Sequence, residues 1–92
     1  MYTVETTAEF DRRADRFFRK HPELRERFAA FVLELREDPF QPHLRVHRLS
    51  GRLEGLHAAS LTYAFRILLT VLITERSITL IDIGTHDEVY QR

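Results

Sequence analysis

The spacing of the apolar residues changes near residue 42, and this change divides the chain into two halves of different structure. Before it, apolar residues recur at intervals of three and four, which is typical of one face of an α-helix. Two such stripes occur, and His21-Pro22 separates them because proline breaks the helix that precedes it. The first stripe consists of Phe10, Ala14, Phe17 and Phe18, and the second of Leu24, Phe28, Phe31, Val32 and Leu35.

Local signals mark the limits of this helical region. Residues 2–6 alternate and include β-branched side chains, so they predict a short first strand. A capping box begins at Thr6 and ends at Glu9, whose side chains satisfy each other's free backbone N–H groups. Asp38-Pro39 ends the second helix, because the residue before a proline is pushed out of the α region. The first half is therefore predicted to be a strand followed by a helical hairpin with one apolar side.

Beyond residue 42 the pattern indicates strands, predicted over residues 44–49, 53–61, 63–73 and 78–85. The third is the clearest, because alternate residues from Tyr63 to Ile73 are all apolar. The predicted fold class is α+β with the order β-α-α-β-β-β-β, in which the helical hairpin packs on one face of a small, mostly antiparallel sheet. The phenylalanines of the two stripes are core residues in this arrangement, not a ligand-binding cluster.

The composition sets outer limits on the kind of protein. A chain of 92 residues, 43% hydrophobic and 30% charged, suits a single domain over residues 1–92. It has no cysteine, which excludes disulfides and thiolate metal sites. The N-terminus does not resemble a signal peptide, and the longest apolar stretch is too short to cross a bilayer. We therefore expect a cytoplasmic protein with no membrane partner.

The formal net charge is zero, but the charge is unevenly distributed. Residues 43–66 hold four arginines against one glutamate, a local net charge of +3, and three histidines. Arginine is well suited to bidentate phosphate contacts, although general use of arginine in place of lysine also explains the bulk composition. The candidate substrate-binding residues in this segment are Arg45, Arg48, Arg52 and His57.

Arg66 is the exception in the most apolar strand. It faces away from the apolar stripe, and its neighbours on its own face, Ala64 and Leu68, are uncharged. If the helices cover the apolar face, Arg66 projects from the other face and is predicted to bind an anion. The alternative is a structural ion pair with Asp82 or Glu54.

The closing segment, Gly84 to Tyr90, is dense in functional residue types. His86 is suited to proton transfer near neutral pH, and Gly84 lets a backbone or a ligand approach closely. His47 and His57 flank a predicted turn and could approach the same face. Metal binding is the competing use of several histidines, but neither an H-x-x-x-H nor a paired-carboxylate spacing occurs, so we expect no metal and no other cofactor.

Three segments resemble motifs of YafQ-type toxins in the RelE/ParE superfamily. Residues 47–55, HRLSGRLEG, resemble the segment H-x-L-x-G-x-x-x-G, and residues 84–90, GTHDEVY, are similar to the terminal G-T-H-x-x-[LVI]-[FY]. Residues 63–68, YAFRIL, look like the Y-x-x-R-[IL] strand of RelE-like proteins. The motifs occur in the family's order, and the element order matches over essentially the whole chain.

The resemblance implies the toxin of a type II toxin–antitoxin pair, a metal-independent endoribonuclease that cuts mRNA in the ribosomal A site. Arg66 falls at the family's phosphate-stabilising arginine, and His86 at a histidine that acts as general acid or base. His47 falls at the first-motif histidine, and Tyr90 at an aromatic residue that stacks on a base or orients the substrate. The implied partners are a cognate antitoxin in a hetero-oligomer, the ribosome and mRNA.

The sequence departs from this pattern at two positions. YafQ-type toxins carry a further histidine and an aspartate where this chain has Ser60 and Ala64. His57 lies on the other face of an ideal strand and substitutes for the histidine only if a bulge intervenes. Two alternative functions therefore stay open: a ParE-like toxin acting on DNA gyrase, which needs no histidine constellation, and a catalytically degenerate module that still binds an antitoxin.

Overall fold

A computed structural model describes all residues, 1–92, and contains one five-stranded sheet in the order β1-β5-β4-β3-β2. Strand β1 runs parallel to β5, and every other neighbouring pair is antiparallel, which confirms the predicted α+β fold with a mostly antiparallel sheet. The strands are β1 (Thr3–Thr6), β2 (His47–Arg48), β3 (His57–Ser60), β4 (Phe65–Leu72) and β5 (Ser77–Thr85).

The predicted hairpin consists of α1 (Ala8–Lys20) and α2 (Arg25–Glu37), joined through a 3₁₀ turn that begins at Pro22. The predicted cap at Thr6 is wrong by one residue, because Thr6 still pairs in β1 and the Thr7 hydroxyl accepts the Phe10 N–H at 2.9 Å. None of the helices is long and apolar enough to cross a membrane.

The hydrophobic core lies between the hairpin and one face of the sheet. Buried residues of β3, β4 and β5, such as Ala59, Ile67 and Leu80, pack against both helical stripes. Tyr63 and Ile73, at the two ends of the predicted stripe, are exposed because they lie beyond the limits of β4. The helical residues fully or almost fully buried in this core are Phe10, Ala14, Phe17, Phe18, Phe31 and Leu35.

Two predicted strands are much shorter than expected. Residues 42–44 form a 3₁₀ turn and Arg45 adopts a left-handed backbone with φ of 54°, so only two residues of the segment 44–49 pair as β2. Gly51, with φ of 68°, begins another 3₁₀ turn, and β3 is therefore confined to His57–Ser60. Positive φ values turn the chain away from the extended path that a strand needs.

A third helix, α3 (His86–Tyr90), follows β5 directly and was not predicted from the sequence. Thr85 and Glu88 form a capping box: the Thr85 hydroxyl accepts the Glu88 N–H at 3.2 Å, and Glu88 Oε1 accepts the Thr85 N–H at 2.8 Å. Helix α3 contacts β4 and β5, and its Val89 is fully buried outside the main core cluster. The closing segment is therefore part of a folded helix, not the end of a strand.

Candidate active site

The register of the sheet decides which side chains share its second face. Directly paired residues of antiparallel strands point to the same side, and residues two apart on one strand do as well. Ser60 pairs with Arg66, and His47 pairs with Ala58, two residues before Ser60. His47, Ser60 and Arg66 therefore lie together on the face opposite the helical hairpin, which is the face predicted for Arg66.

The four predicted catalytic residues converge on this face. His47 from β2, Arg66 from β4, and His86 and Tyr90 from α3 line one open cleft of about 420 Å³. Arg45, Val46 and Ser60 complete its lining. A neighbouring cavity of about 490 Å³ shares His47, His86 and Tyr90 with the cleft.

Arg66 is anchored by backbone carbonyls and forms no ion pair. Its Nη1 donates to the carbonyl oxygens of Thr62 at 2.9 Å, Tyr63 at 3.0 Å and Phe65 at 3.3 Å. The alternative ion pair is wrong, because the buried Asp82 carboxylate bonds Arg13 at 3.3 Å instead. Neutral carbonyls fix the guanidinium without cancelling its charge, so Nε and Nη2 remain able to bind an anion.

His47 is held in a defined tautomer. Its Nδ1 lies 2.8 Å from the carbonyl oxygen of Arg45, whose left-handed backbone orients that carbonyl. A carbonyl oxygen only accepts hydrogen bonds, so Nδ1 must carry the proton. In the neutral ring, Nε2 therefore has a free lone pair and can act as a base.

His86 and Tyr90 pack against each other across one turn of α3. Their ring centroids are 4.2 Å apart with an interplanar angle of 77°, an edge-to-face arrangement. His86 Nδ1 lies 3.4 Å from the Asp87 carboxylate. Burial raises the pKa of the Tyr90 phenol, and the charge of Arg66 offsets part of that rise. Tyr90 therefore stays neutral near pH 7 and can donate a hydrogen bond.

Gly84 does permit a close approach, but the approaching group belongs to the protein. A Cβ added at Gly84 would lie 2.8 Å from Glu88 Oε1 and 3.2 Å from Glu88 Cβ. The Thr85 backbone N–H is the main cause of the lowered pKa of Glu88, so its carboxylate stays charged over this glycine. Gly84 thus allows α3 to lie close to β5, which sets the positions of His86 and Tyr90.

The predicted substrate-binding residues divide between two faces. Arg45 lines the cleft, and Arg52 lines the neighbouring cavity, where it donates to the backbone carbonyls of Tyr90, at 2.6 Å, and of Arg92. Arg48 and His57 lie outside the cleft and line a different cavity. Arg48 and His57 pair with each other across β2 and β3. His57 also pairs with Leu69, a core residue, so it faces the helix side of the sheet. No bulge interrupts the register of β3 and β4 to turn it to the other face.

His57 is instead a partly buried histidine of the fold. Its Nδ1 is buried without a hydrogen-bond partner. Burial lowers its pKa most, and the charges of Arg48 and His47 lower it further. This environment favours the neutral ring at physiological pH.

Ser60 is a cleft residue that was not predicted as a site residue, because it stands out in the sequence only as a departure from the family pattern. It lies beside Arg66 in the register and lines the cleft with it, whereas Ala64 is exposed in the loop before β4. The alternation of β3 together with the position of Arg66 would have identified it. No three histidine, aspartate or glutamate side chains are grouped so that they could hold a metal ion.

The sheet, the helical hairpin and the short closing helix define the α+β fold of RelE/ParE-type toxins, which confirms the resemblance at the level of the fold. YafQ from Escherichia coli BL21(DE3) superimposes with a TM-score of 0.78 and 12% identity, over 98% of this chain and 99% of that chain. A metal-bound toxin from Helicobacter pylori superimposes with a TM-score of 0.78 and 24% identity, over 97% of this chain and 99% of that chain. A YoeB/ParE toxin from Agrobacterium tumefaciens superimposes with a TM-score of 0.74 and 16% identity, over 94% of this chain and 99% of that chain. No protein-family profile and no curated protein sequence matches the chain.

Proposed function

We propose that residues 1–92 act as the toxin domain of a type II toxin–antitoxin system, and that this toxin is a metal-independent endoribonuclease cutting mRNA on the ribosome. The observation that carries the proposal is the cleft in which Arg66, free of any carboxylate, lies with His47 and His86. Cleavage of RNA by its own 2′-OH requires a base, a cation for the extra phosphoryl charge and an acid for the leaving oxygen. The cleft offers one residue for each role.

His47 is the base in this scheme. Its Nδ1–H is engaged by the Arg45 carbonyl, so its Nε2 is the nitrogen that accepts the 2′-OH proton. The 2′-oxygen then attacks the adjacent phosphorus. The immediate product of attack carries additional negative charge on its equatorial oxygens.

Arg66 and His86 complete the reaction. The free N–H groups of Arg66 bind the equatorial oxygens, and their fixed position means that little reorganisation is needed as charge develops. His86, with Asp87 beside it, gives a proton to the 5′-oxygen as its bond to phosphorus breaks. The products are a 2′,3′-cyclic phosphate and a 5′-hydroxyl. Tyr90 donates to a phosphate oxygen from a neutral phenol.

The convergence of these residues favours a ribonuclease over the two alternatives. A gyrase inhibitor needs no grouping of histidines around an arginine. In this fold, β2, β4 and α3 nevertheless bring His47, Arg66 and His86 together in one cleft. A degenerate module would lack proton-transfer groups. The replacement of the family's histidine and aspartate by Ser60 and Ala64 leaves His47 and His86 as one base and one acid, which is the minimum set.

An antitoxin partner is part of the proposal. A structure of the E. coli DinJ–YafQ complex matches this chain with a TM-score of 0.71 and 13% identity, over 98% of this chain and 99% of that chain. We expect a cognate antitoxin to form a hetero-oligomer with this protein in the cytoplasm. A short acidic protein with a DNA-binding half, encoded next to this reading frame, would support that partner.

Induction in growing cells separates the candidate targets. We expect incorporation of labelled amino acids to stop before that of labelled thymidine, and mRNA fragments with 2′,3′-cyclic phosphate ends to accumulate. The matched control is Arg66→Ala, which should restore growth at equal protein level. Replication failing first, with gyrase-dependent DNA breaks, would contradict the ribonuclease proposal and favour the gyrase inhibitor.

A further inference from the structure

A second groove adjoins the cleft and carries an aromatic side chain with no packing role. Tyr63 is 98% exposed, the most exposed of the large hydrophobic side chains, and lies in the loop between β3 and β4. A tyrosine left almost wholly in water contributes nothing to the core, although its ring is a large flat surface. Together with Arg27, His43 and Thr62, it lines a groove of about 350 Å³.

The groove and the cleft lie side by side. Arg45, Ser60 and Arg66 line both, so they form the wall between the two spaces. The proton-transfer residues lie on one side of this wall, and Tyr63 lies on the other. A phosphate bound by Arg66 would therefore have one flanking nucleotide near His47 and the other near Tyr63.

The position of Tyr63 is tied to that of Arg66. The Arg66 guanidinium donates to the carbonyls of both Thr62 and Tyr63, and the Thr62 hydroxyl accepts the N–H groups of Ala64 and Phe65 at 3.2 Å each. The loop backbone is thus held by the side chain that would bind the phosphate. A flat ligand that stacks on the ring therefore has to order the Tyr63 side chain but not the backbone of the loop.

The charges of the groove direct a phosphate to the shared wall. Glu34 Oε1 accepts from Arg27 at 3.0 Å, and Glu34 Oε2 lies 2.7 Å from His43 Nε2. Those hydrogen bonds lower the pKa of Glu34, so its charge offsets that of Arg27. Arg45 and Arg66 form no ion pair. The uncompensated positive charges therefore lie at the shared wall, and the Tyr63 ring lies beyond it.

We propose that this groove is a nucleotide subsite in which Tyr63 stacks on the base that flanks the phosphate bound by Arg66. The inference rests on the proposed ribonuclease function. Stacking on an aromatic ring accepts any base, because every base has a π-face, so the subsite adds affinity without strict sequence choice. Tyr63 is then a substrate-binding residue, although in the sequence it stands out only as the first residue of the strand motif YAFRIL.

The test uses ribosomes programmed with an mRNA whose A-site nucleotides are 2′-deoxy, so that toxin binding is measured without cleavage. Tyr63→Ala should weaken binding by roughly 5- to 150-fold, the usual range for losing one base–aromatic stack. Tyr63→Phe keeps the ring and should stay within about twofold of the wild type. Leu72→Ala, an exposed apolar residue at the far end of β4, is the surface control and should bind normally. A single abasic nucleotide at the stacked position should weaken the wild type and leave Tyr63→Ala unaffected.

Parallel cleavage of the all-ribose mRNA distinguishes the two claims. Wild-type cleavage with an unchanged KM for Tyr63→Ala overturns the subsite and leaves the ribonuclease proposal standing. If binding depends on Tyr63 but the wild type does not cleave, the subsite stands and the ribonuclease proposal is overturned. Wild-type protein that neither binds nor cleaves overturns both. A higher KM with unchanged kcat for Tyr63→Ala is the expected result.

Discussion

Gly84→Ala should loosen the helix that carries two site residues, although the substitution adds only a methyl group. The new Cβ would lie 2.8 Å from Glu88 Oε1, so the Glu88 side chain must turn away and release the Thr85 N–H. Loss of such a capping interaction costs about 0.5–2 kcal/mol. The backbone of Gly84 does not have a positive φ, so alanine also recovers about 0.4–1 kcal/mol by restricting the unfolded chain.

The Cβ of Glu88, at 3.2 Å from the added methyl, must also move by a few tenths of an ångström. We therefore expect a net destabilisation of about 1 kcal/mol, with a fall in Tm of about 4–8 °C in a domain of this size. The assay is urea and thermal unfolding of wild type, Gly84→Ala, Glu88→Ala and the double variant, which form a double-mutant cycle.

The cycle isolates the clash with the carboxylate. In the Glu88→Ala background the capping bond is already absent, and the close contact with the remaining Cβ of residue 88 offsets the gain from restricting the unfolded chain. Gly84→Ala should therefore cost about 0 kcal/mol there, and the coupling should be about 1 kcal/mol. Strict additivity of the two substitutions would refute the reasoning that Gly84 exists to seat the Glu88 side chain. Cleavage by Gly84→Ala should fall together with stability, since α3 positions His86 and Tyr90.

The remaining predictions concern three other side chains. His47→Ala should lower kcat by about 10²- to 10⁴-fold, the usual contribution of a general base, with partial rescue by added imidazole; an unchanged pH–rate profile would count against His47 as the base. Arg52→Ala removes the bonds to the carbonyls of Tyr90 and Arg92, so kcat should drop by about tenfold with little change in Tm, measured in single-turnover cleavage. His57 has a folded pKa below its ordinary value of 6.5, so the folded protein binds fewer protons than the unfolded chain, and stability should fall as pH drops below about 6.5. His57→Leu should lose that dependence while staying at least as stable at about pH 7.5, checked by Tm against pH; an acid sensitivity equal to that of the wild type would refute it.

The helical hairpin and its covered sheet were predictable because their causes are local. Two apolar stripes at helical spacing, separated by Pro22, need a surface to cover, and alternation along β4 supplies it. The same alternation correctly put Arg66 on the second face and His57 on the first. Side chains of a strand alternate between the two faces of the sheet. Once the apolar residues mark the covered face, the face of every other residue in that strand follows.

Other features depend on contacts that a sequence pattern does not contain. The left-handed backbone of Arg45 delays the start of the predicted strand, and a residue other than glycine adopts it only when surrounding structure requires it. A register shift leaves Ile81 without a partner, since Leu68 pairs with Asp82 and Leu69 with Leu80. The anchoring of Arg66 by loop carbonyls also arises only in the folded chain.

Helix α3 is a different case, because its signal was present in the sequence. Thr85 and Glu88 have the spacing of a capping box, and the prediction that β5 simply ends there overlooked it. Reading that signal would have placed His86 and Tyr90 one helical turn apart on one side of a helix. The two residues would then have been expected to contact each other.

The most direct test of the account is single-turnover cleavage of mRNA on programmed ribosomes by Arg66→Ala at saturating toxin. Loss of a pre-positioned charge-stabilising group should lower the rate by about 10²- to 10³-fold, with Tm measured to show that the variant is folded. Arg48→Ala removes an arginine from the other face of the sheet and should keep the wild-type rate. A folded Arg66→Ala variant that cleaves as fast as the wild type would contradict the central claim that Arg66 stabilises the transition state.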